Sequence, residues 1–330
     1  MHFPMPSKRA FIRGLAGSFA LLALSTAAQA EGFPNKAISI VVPFAAGSPT
    51  DVVARAFADD FGAALGTPVI IDNKPGASQT VAGAFVARAP ADGYTLLFAN
   101  LPAVVAPSLL SKLPYTALRD FAPVSDVMTI GFILVASPSV PATNLKEFVA
   151  MLKADPSKYS YGSSGISTPI HLMAEMFNKE IGVKTLHVPY KGGNQVQMDL
   201  VSDRITYAFL PTGSMEFVRS GKLKTFGLAS DKRDPAYPEL PTMEEGGMRN
   251  FKATVNFVLV GPKQMPADTQ ARLNAAANKV VVSEAFYSKV KSVGGVELSK
   301  PQTPAQVGAH IVAEEARWDA LVKAADIQLE

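Results

Sequence analysis

The 330-residue chain contains no cysteine. It therefore has no disulfide bond, no thiolate nucleophile, no cysteine-ligated metal and no cysteine that could carry a lipid. Histidine is scarce as well, with only His171, His187 and His310 beyond residue 30. These absences exclude thiol chemistry and leave few side chains for metal or acid–base work.

Charged residues are also few, at 18% of the chain against 48% apolar residues, a balance typical of a globular protein with a sizeable core. Lys8, Arg9 and Arg13 are the only charged residues among the first thirty, so the remainder has 28 basic and 28 acidic residues. A body without net charge lacks the basic face that nucleic acids or anionic membranes attract. We expect neither nucleic-acid binding nor direct membrane insertion.

The first thirty residues have the pattern of an export signal. The three basic residues precede an apolar run over 15–24, and Ala28-Gln29-Ala30 forms a small-x-small cleavage site. The run is only about half as long as a membrane-spanning helix requires. We predict a signal peptide over residues 1–30, cleaved after Ala30, and a mature protein in the periplasm. Lys8 stands where a twin-arginine signal has its first arginine, so the export route stays open.

From residue 37 the sequence repeats one unit: a short apolar strand, a loop rich in glycine, proline and serine, and an amphipathic helix. Strands that alternate with helices are typical of an α/β fold with a parallel sheet. In the helix predicted over 51–65, Val53, Phe57, Phe61 and Leu65 share one face. Strands are predicted at 37–42, 69–72, 94–99, 159–161 and 185–188, and further helices at 80–88, at 169–178 and beyond residue 193.

The length is about twice that of a usual domain and predicts two domains. Two apolar stretches, 121–137 and 254–260, can carry the chain from one sheet into another and back. The first domain is then discontinuous and closes with a terminal helix predicted over 304–324, and the two crossovers form a hinge. The predicted core stripe of that helix is Val307, Ile311, Trp318 and Leu321.

The loops after the predicted strands are rich in hydroxyl groups. Each precedes a helix whose first N–H groups lack a partner within the helix and whose dipole favours an anion. In an open parallel sheet such loops meet in one crevice. Serine and threonine are also ordinary turn and N-cap residues, but five similar loops in succession favour an anion site. The hydroxyls are those of Ser48, Thr50, Ser78, Thr80, Ser163, Ser164, Ser167 and Thr168.

Known enzyme motifs are missing. The sequence has no G-x-S-x-G elbow, no P-loop, no G-x-G-x-x-G and no H-E-x-x-H. His171 and Glu175 have a spacing that can hold a metal on a helix, but no third ligand is nearby, so no metal is predicted. We instead expect His171 beneath the loop that starts at residue 162.

Several blocks recur in a fixed order along the chain: FPNK (33–36), VVPFAAG (41–47) with Asp51, DNKPGA (72–77), ADGYTLL (91–97), FAPVS (121–125), YGSSG (161–165) with His171, HVPYKGG (187–193), GKL (221–223) and PELPT (238–242). Together they resemble the solute-binding proteins of tripartite tricarboxylate transporters, the Bug family. The resemblance covers essentially the whole chain after the export signal.

The resemblance implies an α/β, type II periplasmic-binding-protein fold: two Rossmann-like lobes joined by two crossover strands, with a ligand cleft between them. Lobe 1 would comprise residues 31–129 and 257–330, and lobe 2 residues 130–256. Such receptors are monomers that close on a small organic acid and deliver it to the membrane subunits of a transporter, without a cofactor and without catalysis. In the family, the first two loops hold one carboxylate, partly through ordered water and backbone donors.

Transferred to matching positions, the resemblance points to several loop residues as ligand-binding. They are Phe44, Ala45, Ala46, Gly47, Asp51, Pro75, Gly76, Ala77, Ser163, Ser164 and His171. The hydroxyl pattern and the departures from the family pattern add four more, Ser48, Ser78, Thr168 and Thr206.

The departures bear on the ligand. Ser48 stands for a usual glycine, Ser78 and Gln79 for a glycine pair, Thr206 for a usual aspartate and Asn256 for a usual aromatic. A missing carboxylate at position 206, if it faces the cleft, disfavours an amino-acid ligand that needs a partner for its ammonium group. We expect a dicarboxylate, a tricarboxylate or an aromatic acid.

Two other functions stay open at this point. A receptor of the same fold can present its ligand to a membrane signalling protein instead of a transporter. A secreted hydrolase is the second alternative, with Ser163 or Ser164 as the residue whose replacement would abolish turnover.

Overall fold

The computed structural model describes residues 32–76, 80–101, 120–166, 168–230, 232–249 and 251–325. The predicted signal peptide and its cleavage site lie outside these residues. From Lys36 onward the chain forms one compact unit built on two β-sheets with helices packed against them. None of the described helices combines the length and the hydropathy that a bilayer crossing requires.

The first sheet has six strands in the described part of the chain. In spatial order they are β11 (Val296–Leu298), β4 (Phe121–Ile130), β10 (Val255–Pro262), β3 (Thr95–Asn100), β1 (Ile38–Val42) and β2 (Val69–Asn73). β1 is parallel to both β2 and β3. β10 is antiparallel to β3 and β4, and β11 is antiparallel to β4. This sheet is the core of lobe 1.

The second sheet has five described strands and is the core of lobe 2. In spatial order they are β7 (Leu186–Pro189), β6 (Ser160–Ser163), β8 (Tyr207–Pro211), β5 (Phe132–Ala136) and β9 (Lys224–Leu228). β6 is parallel to β7 and β8, whereas β5 is antiparallel to β8 and β9.

Both sheets are therefore mixed, and the expectation of a purely parallel sheet is wrong. Parallel pairs join strands of the repeated strand–loop–helix units. Every antiparallel pair includes β4, β5 or β10. β4 leads out of the first sheet, and β5 and β10 each enter their sheet directly from the other lobe, so no helix within the same lobe reverses the chain before them.

The helices follow the strands in the predicted alternation. The described ones are α1 (Pro49–Leu65), α2 (Thr80–Ala87), α3 (Leu145–Ala154), α4 (Pro169–Ile181), α5 (Gly193–Val201), α6 (Met215–Arg219), α7 (Ala267–Val280), α8 (Glu284–Val290) and α9 (Pro304–Ala325). Short 3-10 turns occupy Pro156–Lys158, Thr212–Ser214 and Lys291–Val293.

Helix α1 shows why these segments fold as predicted. The Ser48 hydroxyl accepts a hydrogen bond from the first turn, and Pro49 fits there because the first helical N–H groups have no partner inside the helix. Gly66 ends the helix with a φ of 72°, which glycine adopts without strain. The predicted apolar face packs on the sheet, and its fully buried members are Val53, Phe57 and Phe61.

The crossovers lie where the apolar stretches predicted them. The stretch 121–137 contains β4 and β5, which belong to different sheets and are separated only by Gly131. The chain returns to the first sheet at Val255. The lobe boundaries at 129/130 and 256/257 stay a prediction.

Helix α9 packs on β4 of lobe 1 and also contacts α4 of lobe 2. Of its predicted core stripe, Val307, Ile311 and Trp318 are buried. Trp318 belongs to a buried cluster that includes Leu172 of α4. The terminal helix therefore touches both lobes.

His310 on α9 pairs with the buried Asp126 of β4, Nδ1 to Oδ2 at 2.7 Å. The Asp126 carboxylate raises the pKa of His310 above its ordinary value, against the opposing effect of burial. The stability that the pair contributes is complete below the unfolded pKa of about 6.5 and is lost as pH rises through the higher folded pKa. We expect His310→Gln to lower the thermal unfolding midpoint more at about pH 6 than at about pH 9.

Lys323→Gln is the control for this measurement. Lys323 forms an exposed pair with Asp319 on the same helix, and such exposed pairs contribute little to stability. Its effect on the midpoint should be small and equal at both pH values. An equal loss at both pH values for His310→Gln would contradict the charged-pair interpretation.

Candidate functional site

A cavity of about 430 Å³ lies between the two sheets, a size that encloses a small ligand. Lobe 1 contributes Phe44, Ala45, Gly47, Ser48, Pro49, Thr50, Val52, Asn100, Ser292 and Val293 to its walls. Lobe 2 contributes Ser164, Pro169, Ile170, Lys191, Gly192, Gly193, Asn194, Gln197, Leu210, Pro211, Gly213, Ser214 and Phe217. The crossover strands add Ile130, Phe132, Val255 and Phe257.

Three helices begin at the cavity wall: α1 from lobe 1, and α4 and α5 from lobe 2. Thr168 and Gly192, which precede α4 and α5, make no side-chain hydrogen bond to the first turn of their helix. The first N–H groups of these two helices are therefore not occupied by a side-chain cap and can bind an anion. The lining residues at the three helix starts are Pro49 and Thr50, Pro169 and Ile170, and Gly193 and Asn194.

The lining carries no acidic side chain in the described part of the chain, and Lys191 is its only ionisable group there. The other polar groups are backbone amides, hydroxyls and side-chain amides, all able to donate to a carboxylate. A ligand ammonium would lose its hydration without meeting a counter-charge, which is costly. The cavity therefore favours an anion over a zwitterion.

Part of the cavity wall is apolar. It is formed by crossover residues and by residues at the end of β8 and in α6. They are Ile130, Phe132, Leu210, Phe217, Val255 and Phe257. This band suits a hydrocarbon chain or ring between the polar ends of a ligand.

Asp51 fixes the shape of the loop after β1. Its buried carboxylate accepts hydrogen bonds from the Gly47 backbone N–H at 2.8 Å, from Arg55 Nε at 2.9 Å and from Asn73 Nδ2 at 2.8 Å. Asn73 Nδ2 also donates to the Phe44 carbonyl at 2.9 Å. Burial raises the pKa of Asp51, but the hydrogen bonds from Arg55, Gly47 and Asn73 outweigh it and hold the pKa below its ordinary value. The carboxylate stays ionised and presents Gly47 and Ser48 to the cavity.

A buried cluster supports the loop after β6 in the same way. Ser163 Oγ lies 2.6 Å from His187 Nε2 and accepts a hydrogen bond from the Gly165 N–H at 3.2 Å. The rings of His171 and His187 lie 4.4 Å apart between centroids. Burial lowers the pKa of both histidines to about 4, so both are neutral at pH 7. Ser163 is fully buried and does not line the cavity, so the cluster shapes the loop and does not present a nucleophile.

No group of three histidine, aspartate or glutamate side chains among the described residues is arranged to hold a metal ion.

Comparison with known proteins identifies the family. A family model described as "Tripartite tricarboxylate transporter family receptor", TctC, matches residues 53–327. The chain belongs to this receptor family. A UPF0065 protein of Bordetella pertussis is 34% identical over 286 residues, which cover 86% of this chain and 88% of that relative. The TctC family is one of solute receptors and not of enzymes.

Solved structures of similar proteins match both lobes of this TctC-family receptor. The periplasmic binding protein BugD has a TM-score of 0.82 at 31% identity, with 90% of this chain and 99% of that one covered. MatC from Rhodopseudomonas palustris with bound malate gives 0.81 at 28% identity, with 88% and 100% covered. Rpa4515 from R. palustris, with adipate, gives 0.82 at 28%, with 89% and 99% covered. The predicted two-lobe periplasmic-binding-protein fold is confirmed.

The structure brings part of the predicted site of the TctC receptor together. The predicted residues that line the cavity are Phe44, Ala45, Gly47, Ser48 and Ser164. Asp51, Ser163 and His171 lie beneath the lining loops, and Thr168 stands at the N-cap of α4. Ala46, Pro75 and Gly76 are not among the lining residues. Ala77 and Ser78 lie outside the described residues.

Thr206 lies elsewhere. Its Oγ1 accepts a hydrogen bond from the Ser160 N–H at 3.1 Å. Ser160 is the first residue of β6 and Thr206 directly precedes β8, so both lie at the amino ends of strands whose carboxyl ends face the cavity. The expectation that position 206 faces the cleft is corrected. The inference that a ligand ammonium meets no acidic partner therefore rests on the described lining residues of the cavity and not on position 206.

Sequence reasoning missed several lining residues. The sequence predicts the loop before α5, but neither Lys191 in that loop nor Gln197 in the helix belongs to the hydroxyl pattern or to the residues that the resemblance marks as ligand-binding. Phe257 lies in the apolar stretch 254–260 that predicts the second crossover, so that pattern could have marked it. Ser292 and Val293 reach the cavity from a 3-10 turn late in the chain, and no sequence signal marked them.

Proposed function

We propose that this TctC-family chain is a periplasmic receptor that captures a small carboxylate between its lobes and delivers it to the membrane subunits of a tripartite tricarboxylate-type transporter. The observation that carries the proposal is the meeting of three helix N-termini, from both lobes, at one cavity whose described lining has no acidic side chain. The solved relatives with malate and adipate support a small acid as the ligand.

Binding is proposed to use backbone amides in place of a buried counter-charge. The start of α1, with the hydroxyls of Ser48 and Thr50, holds one carboxylate from lobe 1. The uncapped starts of α4 and α5 reach the ligand from lobe 2, so the acid bridges the lobes and stabilises their closed arrangement. The closed arrangement is the state that the membrane subunits would recognise.

Residues 1–30 are proposed to export the protein to the periplasm, where receptors such as BugD are found by their description. The proposed cleavage after Ala30 leaves a mature chain that starts at Glu31. The intact mass of the exported protein checks this site.

A thermal-shift screen tests the proposed function. A ligand at a hundredfold its dissociation constant adds about 2.7 kcal/mol to the stability of the folded state. We expect one or more acids among malate, succinate, adipate, citrate and terephthalate to raise the midpoint of unfolding by several degrees. The dimethyl ester or amide of the same acid is the control and should give no shift, because it carries no charge for the helix N-termini. Equal shifts for acid and ester, or no shift with any acid at millimolar concentration, would contradict the proposal.

A further inference from the structure

Helix α4 packs against both lobes. On the side of its own lobe it contacts β6 and β8, and the Phe177 ring packs against Tyr207 and Phe209. Leu172 and Met176 lie four residues apart and therefore share one face of the helix. That face packs into a buried cluster whose other members all come from lobe 1. A helix of lobe 2 thus places side chains in the core of lobe 1.

Helix α9 supplies part of the lobe 1 side of this contact. It contacts α4 directly, and its Val307, Ile311 and Trp318 belong to the same cluster as Leu172. Leu172 and Trp318 are each only 1% exposed. Because the burial of apolar surface is favourable in proportion to its area, these residues favour the arrangement in which the lobes lie together. Separation of α4 from the cluster would bring apolar side chains of both lobes into contact with water.

The contact lies beside the cavity. Pro169 and Ile170 line the cavity at the start of α4, and Leu172 follows in the first turn of the helix. On the lobe 1 side, Asn100 lines the cavity and the next residue, Leu101, belongs to the cluster. A movement of the lobes that opens the cavity between Asn100 and Ile170 would therefore also withdraw Leu172 from the cluster.

We propose that the face of α4 with Leu172 and Met176 and the face of α9 with Trp318 form an interlobe latch, which closes as the lobes close on the acid and opens as they separate. The inference rests on the proposed function, in which the acid binds the closed arrangement. The apparent affinity of an acid that binds only this arrangement scales with the fraction of closed protein. Residues outside the cavity thus set part of the affinity for the acid.

Trp318 makes the latch measurable, because it is the only tryptophan of the chain. Indole emission moves to shorter wavelength, and acrylamide quenches it less, when the ring leaves water. We expect the acid that gives the largest thermal shift to move the wild-type emission to shorter wavelength and to lower the quenching constant by about twofold or more. Trp318 is not among the residues that line the cavity, so direct contact between acid and indole does not explain such a change.

Leu172→Ala tests whether the latch sets the affinity. In isothermal titration calorimetry with the same acid, we expect this variant to bind at least about fivefold more weakly than wild type. Met176→Ala is a milder change on the same face, because Met176 is only partly buried, and it should weaken binding in the same direction.

Leu97→Ala is the matched control. Leu97 is 3% exposed and belongs to the same cluster, but it lies on β3 of lobe 1, three residues or about 10 Å along the strand from Asn100. The control removes the same atoms from the cluster as Leu172→Ala does, without removing a side chain of lobe 2. It should lower the unfolding midpoint and keep the wild-type affinity within about twofold.

Equal affinities of Leu172→Ala and Leu97→Ala would overturn the inference and leave the proposed function standing. A wild-type Trp318 emission that stays unchanged while calorimetry shows acid binding would do the same. If Leu172→Ala does not fold, Met176→Ala and the wild-type emission decide in its place. Failure of wild type to bind any acid of the thermal-shift screen would overturn both the inference and the proposed function.

Discussion

Replacing Asp51 with alanine is expected to lower the free energy of unfolding by about 2–4 kcal/mol and to weaken acid binding more than about tenfold. The buried carboxylate is the shared acceptor for the Gly47 N–H, Arg55 and Asn73. Without it the Gly47 N–H loses its acceptor, and Arg55 and Asn73 each lose one of the hydrogen bonds that they make inside the fold. The loop that carries Ser48 and the start of α1 is then no longer held against the cavity. Urea denaturation and calorimetric titration of the same protein measure the two effects.

Asp92→Ala is the control for Asp51. Asp92 is an exposed carboxylate of lobe 1 that pairs with Lys36, and such pairs contribute little. The pKa of Asp51 is below its ordinary value, so its contribution is present above the unfolded pKa and is lost only as pH falls through the lower folded pKa. The stability difference between wild type and Asp51→Ala should therefore stay constant from about pH 5 to 8 and shrink only in stronger acid. A difference that shrinks within that neutral range would contradict this role.

Replacing Gly294 with alanine is expected to have the second large effect, because the lobes meet there backbone to backbone. A Cβ at Gly294 would lie 1.9 Å from the Gly213 nitrogen, and the Gly131 N–H donates to the Gly295 carbonyl at 3.0 Å. The 291–295 segment of lobe 1 must therefore move away from the 212–214 turn of lobe 2. Because Gly213 and Val293 both line the cavity, we expect a loss of about tenfold in acid affinity.

Gly182→Ala is the control, a glycine of positive φ outside the contact between the lobes. Gly182 has a φ of 70°, close to the 80° of Gly294, but a Cβ there meets nothing within 4 Å. Gly182→Ala carries only the cost of an alanine in the left-handed region, because its ψ is 37°. Gly294→Ala adds the steric cost and the larger strain of a backbone with φ 80° and ψ 147°, which glycine alone adopts readily. We expect Gly294→Ala to be less stable than Gly182→Ala by about 1–3 kcal/mol, and Gly182→Ala to keep wild-type affinity. Equal stability and equal affinity in the two variants would show that the lobes do not depend on this contact.

The order of strands and helices could be predicted because each unit carries local signals. In α1, the N-cap Ser48, the closing Gly66 and the apolar face of Phe57 and Phe61 all act within one helix. Strand direction could not be predicted in the same way. The direction of β5 and β10 depends on which lobe the chain arrives from, and that information lies in the tertiary path and not in their apolar composition.

The site could be predicted only where its residues follow the strand–loop–helix units. Ser48 and Ser164 line the cavity as the loop pattern indicated. Thr206 was placed at the wrong end of its strand, because a residue before a strand lies at the amino end of the sheet. Lys191 was missed because neither the hydroxyl pattern nor the resemblance marks it, and it stands out only as the one ionisable group among the described lining residues. Ser292 reaches the cavity wall because Gly213 and Gly294 let the backbones of the two lobes pack closely at that point. No local sequence pattern marks such a contact.

A crystal structure of the mature protein with the best acid from the thermal-shift screen tests the central claim most directly. We predict one carboxylate within about 3 Å of backbone N–H groups at the start of α1, directly or through one water. The rest of the acid should reach the starts of α4 or α5 across the apolar band. An acid bound outside this cavity, or inside it with its carboxylates turned away from all three helix N-termini, would contradict the account.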